Sequence, residues 1–227
     1  MTDPATAVDT FRILMVCTGN ICRSPLAEQL LRAQSHAAGL PISVSSAGTG
    51  AMVGRPMTPQ AAELSAHYGA LFTDHAPTQL TEAVIANADL ILTATREHRA
   101  AVVSMYPKSI RSTFTLTQFA RLASTLVTLA ASSPVEPLSS PVETANSMVE
   151  TSPPLVELVE TPVERLKSLL THAAVARSLI SPPTNPTDDD ITDPYKQSQA
   201  IYDEVAAEIN VAVTTITRSF QTALEAT

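Results

Sequence analysis

Residues 11–25 read FRILMVCTGNICRSP, an apolar run, then a short polar loop, then the opening of a helix. FRILMV (11–16) is a continuous strand candidate, and SPLAEQLLRAQSHAA (24–38) carries apolar residues at helical spacing and ends at Gly39. Strand, loop and helix in that order open an α/β unit. The chain has two cysteines, and both fall in this loop, as Cys17 and Cys22, with Arg23 directly after them.

The same alternation continues outward. ISVSS (42–46) reads as a second strand, and a loop with Gly48, Gly50, Gly54 and Pro56 leads to a helix over TPQAAELSAHYG (58–69). LTEAVIANA precedes a buried strand, DLILTA (89–94), which is followed by a helix over REHRAAVVSMY (96–106). STFTL (112–116) is a fourth strand by its β-branched content. Strands and helices that alternate with short links predict a four-stranded parallel, doubly wound sheet flanked by helices. Its ligand crevice belongs at the carboxyl ends of the strands, where the loop after FRILMV lies. The pattern resumes as helices over 163–180 and 198–220, with TDDDITDPY between them.

From about 131 to 161 the periodicity gives way to a Pro/Ser/Glu-rich stretch in which S-P-V-E, V-E-T and T-P-V-E recur. Pro134, Pro137, Pro141, Pro153 and Pro154 and the lack of any aromatic residue predict a disordered insertion in a single domain over 11–227, with 1–10 a flexible tail. Of the 227 residues 44% are hydrophobic, enough for a core, and 22 acidic residues outnumber 14 Lys and Arg to give a net charge of −8. No basic stripe exists to follow a phosphate backbone, so nucleic acid is excluded as a partner. No long apolar run is present, and MTDPATAVDT lacks the basic and apolar regions of a secretory leader, so a cytoplasmic location away from membrane is expected. Two cysteines five positions apart, in a reducing compartment, are thiols with a chemical role or none.

A cysteine attacks only as thiolate, and a helix N-terminus or a fixed cation favours that form. Cys17 stands before a helix start whose free N–H groups point back at it. A turn through Gly19 and Asn20 aims further N–H groups into one concavity. The planar fork of Arg23 matches two oxygens of a phosphate. The loop is therefore expected to bind a tetrahedral oxyanion and to attack its central atom. Expulsion of the leaving oxygen needs a proton, and a carboxylic acid on a distant loop, Asp193 of Asp193-Pro194-Tyr195, can supply it. Asp193 as the N-cap of the last helix is the plainer alternative, and Asp188, Asp189 and Asp190 read as solvated charges.

With V-C-T-G-N-I-C-R-S-P at 16–25, S-A-G-T at 46–49, D-H at 74–75, D-L-I-L at 89–92 and D-P-Y at 193–195, the chain resembles the low-molecular-weight protein tyrosine phosphatases in their bacterial branch. The resemblance implies hydrolysis of phosphotyrosine on proteins with no metal or cofactor. It casts Cys17 as nucleophile, Arg23 as the phosphate grip and Asp193 as general acid. Asn20, Ser24, Ser46 and His75 become the polar network that shapes the loop. Thr18, Gly19, Asn20, Ile21, Cys22 and Ser24 are expected to line the substrate, with Met52 and Tyr195 as walls for an aromatic ring. Relatives often have an arginine where Thr78 stands, which leaves the brace around His75 open. Cys22 reads either as a small apolar helix residue or as the partner of Cys17 in a reversible, redox-sensitive disulfide.

Three other functions compete. Arsenate reduction on the same fold needs resolving thiols, and no cysteine lies beyond Cys22. A phosphoarginine phosphatase is closer, but that branch carries threonine where Ile21 stands. A non-catalytic phosphopeptide scaffold would need neither the thiol nor the acid. The physiological substrate and the oligomeric state are not encoded in any recognisable motif.

Overall fold

Alternate side chains of β1 (Phe11–Cys17) enter two different cores: Phe11, Ile13 and Met15 join one, Leu14 and Val16 the other. A strand covered on both faces has no polar side, which is why it reads as an apolar run, interrupted at Arg12 near its start, where the side chain is exposed and pairs with Asp89. The computed structural model describes residues 9–70, 74–132 and 160–225. Within them β1 sits inside a four-stranded parallel sheet of order β2-β1-β3-β4, with β2 at Ile42–Gly48, β3 at Leu90–Thr93 and β4 at Thr113–Thr115. The register pairs Cys17 with Gly48 at one flank of β1 and Val16 with Thr93 at the other.

Seven helices accompany the described strands: α1 (Arg23–Ala37), α2 (Pro59–His67), α3 (Glu82–Ala86), α4 (Arg96–Met105), α5 (Leu116–Ser132), α6 (Pro162–Leu179) and α7 (Gln199–Glu225). The larger core joins the sheet to Leu30 and Leu31 of α1, Phe119 of α5, Leu166 of α6 and Ile209, Ile216 and Phe220 of α7. Rings of Phe11, Phe220, Phe119 and Phe114 follow one another through it with centroids 6.1, 6.0 and 5.2 Å apart. Such pairs add about 0.5–1.5 kcal/mol each beyond their buried area. On the other face Ile85 of α3 and Val102 of α4 cover Leu14, Val16 and Ile91.

The order 2-1-3-4 sends the chain from β1 outward to β2 on one side and to β3 on the other. The crevice of an open parallel sheet lies where those directions part, at the carboxyl ends of β1 and β3. The loops after Cys17 and Thr93 meet there.

Several expected elements differ in extent. The last helix runs to Glu225 rather than 220, and LTEAVIANA contains the short α3, started by the Thr81 hydroxyl accepting from Val84 N. Within the stretch between the last two helices, Pro186–Asp189 forms a 3₁₀ turn. α5 reaches Ser132, and Thr161 caps α6 through a reciprocal Thr161/Glu164 box with Pro162 at the first helical position. The rest of the expected insertion, 133–159, and residues 1–8 of the expected tail lie outside the described residues.

Candidate active site

The loop between β1 and α1 uses its carbonyls and keeps its amides. Cys17 O accepts from Thr49 N, Thr18 O from Gly50 N, Gly19 O from Met52 N, Asn20 O from His75 Nε2 and Ile21 O from Thr58 N, at 2.7–3.0 Å. In a planar trans peptide the next N–H points opposite to its carbonyl. Carbonyls bound outward therefore turn the amides of Thr18 to Cys22 inward, and among the described residues no acceptor is paired with them. Cys22, at the N-cap of α1, supplies no side-chain cap, so the helix start faces the same concavity. The result is a ring of donors around Cys17, a receptor for a tetrahedral anion.

The left-handed residue of this turn is Asn20, at φ 54°, whereas Gly19 is not left-handed. Asparagine tolerates that conformation, and here its side chain is fully used. Thr78 N can only donate, so its 2.8 Å contact fixes Oδ1 as the acceptor end of the Asn20 amide. Nδ2 must then donate to Ser24 Oγ and Ser46 Oγ, both at 2.8 Å. Ser24 accepts from Asn20, and its own hydrogen lies between the Cys17 sulfur at 3.0 Å and Ala47 O at 3.5 Å. Ser46 passes its hydrogen to Glu28. The donors thus branch from Asn20, through Ser46 to the Glu28 carboxylate on one side and through Ser24 to the Cys17 sulfur on the other.

His75 closes this brace. Its Nε2 donates to Asn20 O, and its Nδ1 lies 3.9 Å from a Glu28 oxygen. Position 78 contributes backbone rather than side chain, which is why threonine serves there without an arginine. Glu28, buried on α1 and bonded also to Arg32, went unnoticed in the sequence because its Glu-to-Arg spacing of four is that of an ordinary surface pair.

Gly48 is required by close approach. A Cβ there would lie 2.3 Å from Thr18 O and 3.1 Å from Asn20 Cβ. Gly48→Ala is expected to cost about 1–3 kcal/mol of stability in urea unfolding, and to weaken phosphate binding because the displaced atom belongs to the anion loop.

Arg23, 5% exposed, donates from Nη1 to Ile191 O at 3.0 Å and pairs through Nη2 with Asp193 Oδ2 at 3.2 Å. Its Nε is buried and has no partner among the described residues. Buried donors are nearly always satisfied, so a free one beside an anion receptor marks where an oxygen belongs. Asp193 is about half exposed and accepts from Tyr195 N at 3.3 Å. It stands six residues before α7, which removes the helix-cap reading.

The neighbours of Asp193 correct a second expectation. Of the three, Asp188 alone is exposed without a side-chain partner among the described residues. Asp189 is buried and takes two hydrogen bonds from Arg121 of α5, at 3.0 and 3.1 Å, and Asp190 accepts from Arg96 N and side chain at 2.7–3.0 Å on α4. Ile191 N bonds Ala94 O at the end of β3. Three elements of the sheet layer therefore hold the loop that carries Asp193.

Met52 lies over Gly19, and Tyr195 is half-buried at the margin of the larger core. Ile21 is buried in that core. Cys22 does not turn to Cys17: its sulfur meets Thr58 Oγ1 at 3.4 Å and Tyr202 OH at 3.6 Å, and both cysteines are free thiols. Burial pushes the Cys22 thiol up and the Tyr202 phenol up to about 12. A bond between the two sulfurs requires Cys22 to leave both partners. A further residue had no signal in the sequence: His98 of α4, buried, bonds Thr18 Oγ1 at 2.8 Å. A lone histidine on an amphipathic helix looks like any other.

Among the described residues no group of His, Cys, Asp or Glu is placed to hold a metal ion, and no helix is long and apolar enough to cross a membrane.

Comparison with known proteins bears on residues 12–128, which match the profile of a family described as low molecular weight phosphotyrosine protein phosphatase. A probable low molecular weight protein-tyrosine-phosphatase of Ralstonia nicotianae is 46% identical over 105 residues, covering 46% of this chain and 69% of that one. A protein-arginine-phosphatase of Bacillus subtilis is 38% identical over 108 residues, 47% of this chain and 71% of that one. The crystal structure of the low molecular weight protein tyrosine phosphatase from T. tengcongensis superposes with a TM-score of 0.59 at 24% identity, over 92% of this chain and 99% of that one. The family profile stops before Asp193. The chain belongs to the low molecular weight phosphotyrosine protein phosphatase family.

Proposed function

We propose that the chain hydrolyses phosphotyrosine on proteins through a phosphocysteine intermediate. The observation that carries this reading is the ring of inward amides around Cys17, closed by Arg23 with its free Nε and faced by Asp193. The Cys17 thiolate attacks phosphorus while the P–O bond to the tyrosine oxygen breaks, and Asp193 delivers its proton to that oxygen. Water then attacks the phosphocysteine, Asp193 takes its proton, and the S–P bond breaks to release inorganic phosphate and restore the thiolate. The amides and Arg23 hold the three equatorial oxygens throughout, where charge is spread in the transition state. Ser24 steadies the departing sulfur.

Tyrosine is favoured over arginine as the phosphorylated residue by the surroundings of the ring. Met52 and Tyr195 offer apolar and flat faces for an aromatic group, and Ile21 brings no hydroxyl to the loop. The 38% identity to a protein-arginine-phosphatase makes phosphoarginine the second substrate to measure. Purified protein is expected to release phosphate from a phosphotyrosine peptide, with kcat/KM at least about tenfold above that for the matched phosphoarginine peptide, a difference of about 1.4 kcal/mol. A ratio inverted in favour of phosphoarginine would reassign the substrate, and no release from either would remove the phosphatase reading. The expected setting is the cytoplasm, with phosphorylated proteins as partners.

A further inference from the structure

Beyond the loop, a cleft of ≈550 Å³ opens at the carboxyl ends of β1 and β3, lined among others by Thr18, Arg23, Thr95, His98, Asp190 and Asp193. His98 is 7% exposed and plays no part in the brace that orients Cys17. Its hydrogen-bond geometry nevertheless leads to the residue after the cysteine. Thr95 caps α4, its Oγ1 accepting from His98 N at 3.3 Å. Among the described residues the Thr95 hydroxyl hydrogen has no acceptor other than His98 Nδ1, 2.6 Å away, and that pairing assigns the tautomer. A neutral ring with Nδ1 as acceptor carries its hydrogen on Nε2, which donates to Thr18 Oγ1 at 2.8 Å. Thr18 is exposed to the cleft, and its hydroxyl hydrogen is left for an acceptor there.

We propose that His98 is a positioning residue of the anion loop: through Nε2 it holds the Thr18 hydroxyl as a donor for a phosphoryl oxygen in the cleft. The inference rests on the phosphatase reading above. The neutral ring that it requires is the form the surroundings favour. Burial depresses the basicity of His98, and Arg23 at the start of α1 depresses it further, against the opposing pull of Glu97 on its own helix and of Asp193 and Asp190 on the facing loop. The Thr95–His98–Thr18 chain therefore extends the ring of backbone donors by one side-chain donor, set from the opposite face of the sheet.

A hydroxyl that hydrogen-bonds a charged phosphoryl group in ground state and transition state alike acts on binding more than on turnover. His98→Leu and Thr18→Val are each expected to raise KM for an aryl phosphate, and the inhibition constant of inorganic phosphate, by about tenfold with kcat little changed. The double variant should be no worse than either single, because both remove the same donor. His98→Gln, whose amide nitrogen donates from nearly the Nε2 position, should recover most of the loss. Should His98→Leu not fold by urea unfolding, Thr18→Val and His98→Gln carry the test. Losses that multiply in the double variant, or an unchanged phosphate constant in Thr18→Val, overturn the inference. Cys17→Ser, assayed alongside, separates the two levels: if it is inactive while these constants are unmoved, only the role of His98 falls, and if it is active the phosphatase reading falls with it.

Discussion

Cys17→Ser is expected to lower the turnover of an aryl phosphate by about 10⁴-fold or more, the scale seen when the nucleophile of a covalent mechanism is removed. Serine fits the space of the thiol, so the loop carbonyls keep their outward partners and the amides stay in place. Binding should survive. Inorganic phosphate and vanadate are expected to be held by the amides of Thr18 to Cys22 and by Arg23, and calorimetry on the variant should give affinities within about a few-fold of wild type. What is lost is the ability to exchange the P–O bond for a bond to sulfur, because a serine hydroxyl is a weak nucleophile without a base and its side-chain partner here is another hydroxyl, Ser24. Turnover at the wild-type rate would dismiss Cys17 as the nucleophile.

The second large effect is selective. Asp193→Asn should slow an unactivated alkyl or phenyl phosphate by about 10²–10³-fold, the range ascribed to general acid catalysis, while a nitrophenyl ester, whose leaving group departs without a proton, loses far less. The comparison between esters matters because Asp193 also pairs with Arg23 at 3.2 Å. Removing that charge alters how Arg23 meets phosphate, but it does so equally for both esters. Only the proton distinguishes them. The bond from Tyr195 N to Oδ1 can persist with asparagine, so the loop keeps its turn. Equal slowing of both esters would assign Asp193 to holding Arg23 alone.

The sheet and the anion loop were legible because their causes are local. A strand buried on both faces must be apolar over its buried length, here Ile13 to Cys17, and a loop that folds amides inward around a sulfur must place Cys17, Asn20 and Arg23 within seven residues. The parts that were misread depend on distance. Asp189 and Asp190 look like solvated charge until Arg121 and Arg96, some 68 and 94 positions away, meet them. His98 and Glu28 match surface patterns on their helices, and nothing within a turn of either shows that the fold buries them. Within the expected turn through Gly19 and Asn20, the left-handed corner falls on Asn20, whose amide has three partners there.

The clamp on the acid loop has a mechanical consequence. Arg96, Ala94 and Arg121 all precede residue 133 in the chain, and they seize Asp189, Asp190 and Ile191 immediately before Asp193. The distance from acid to cysteine is thereby surveyed from fixed points on α4, β3 and α5, not measured along the polypeptide that joins them. Those anchors stand on elements that precede the interval between α5 and α6, and a change in the length of that interval is expected to leave the acid where they place it.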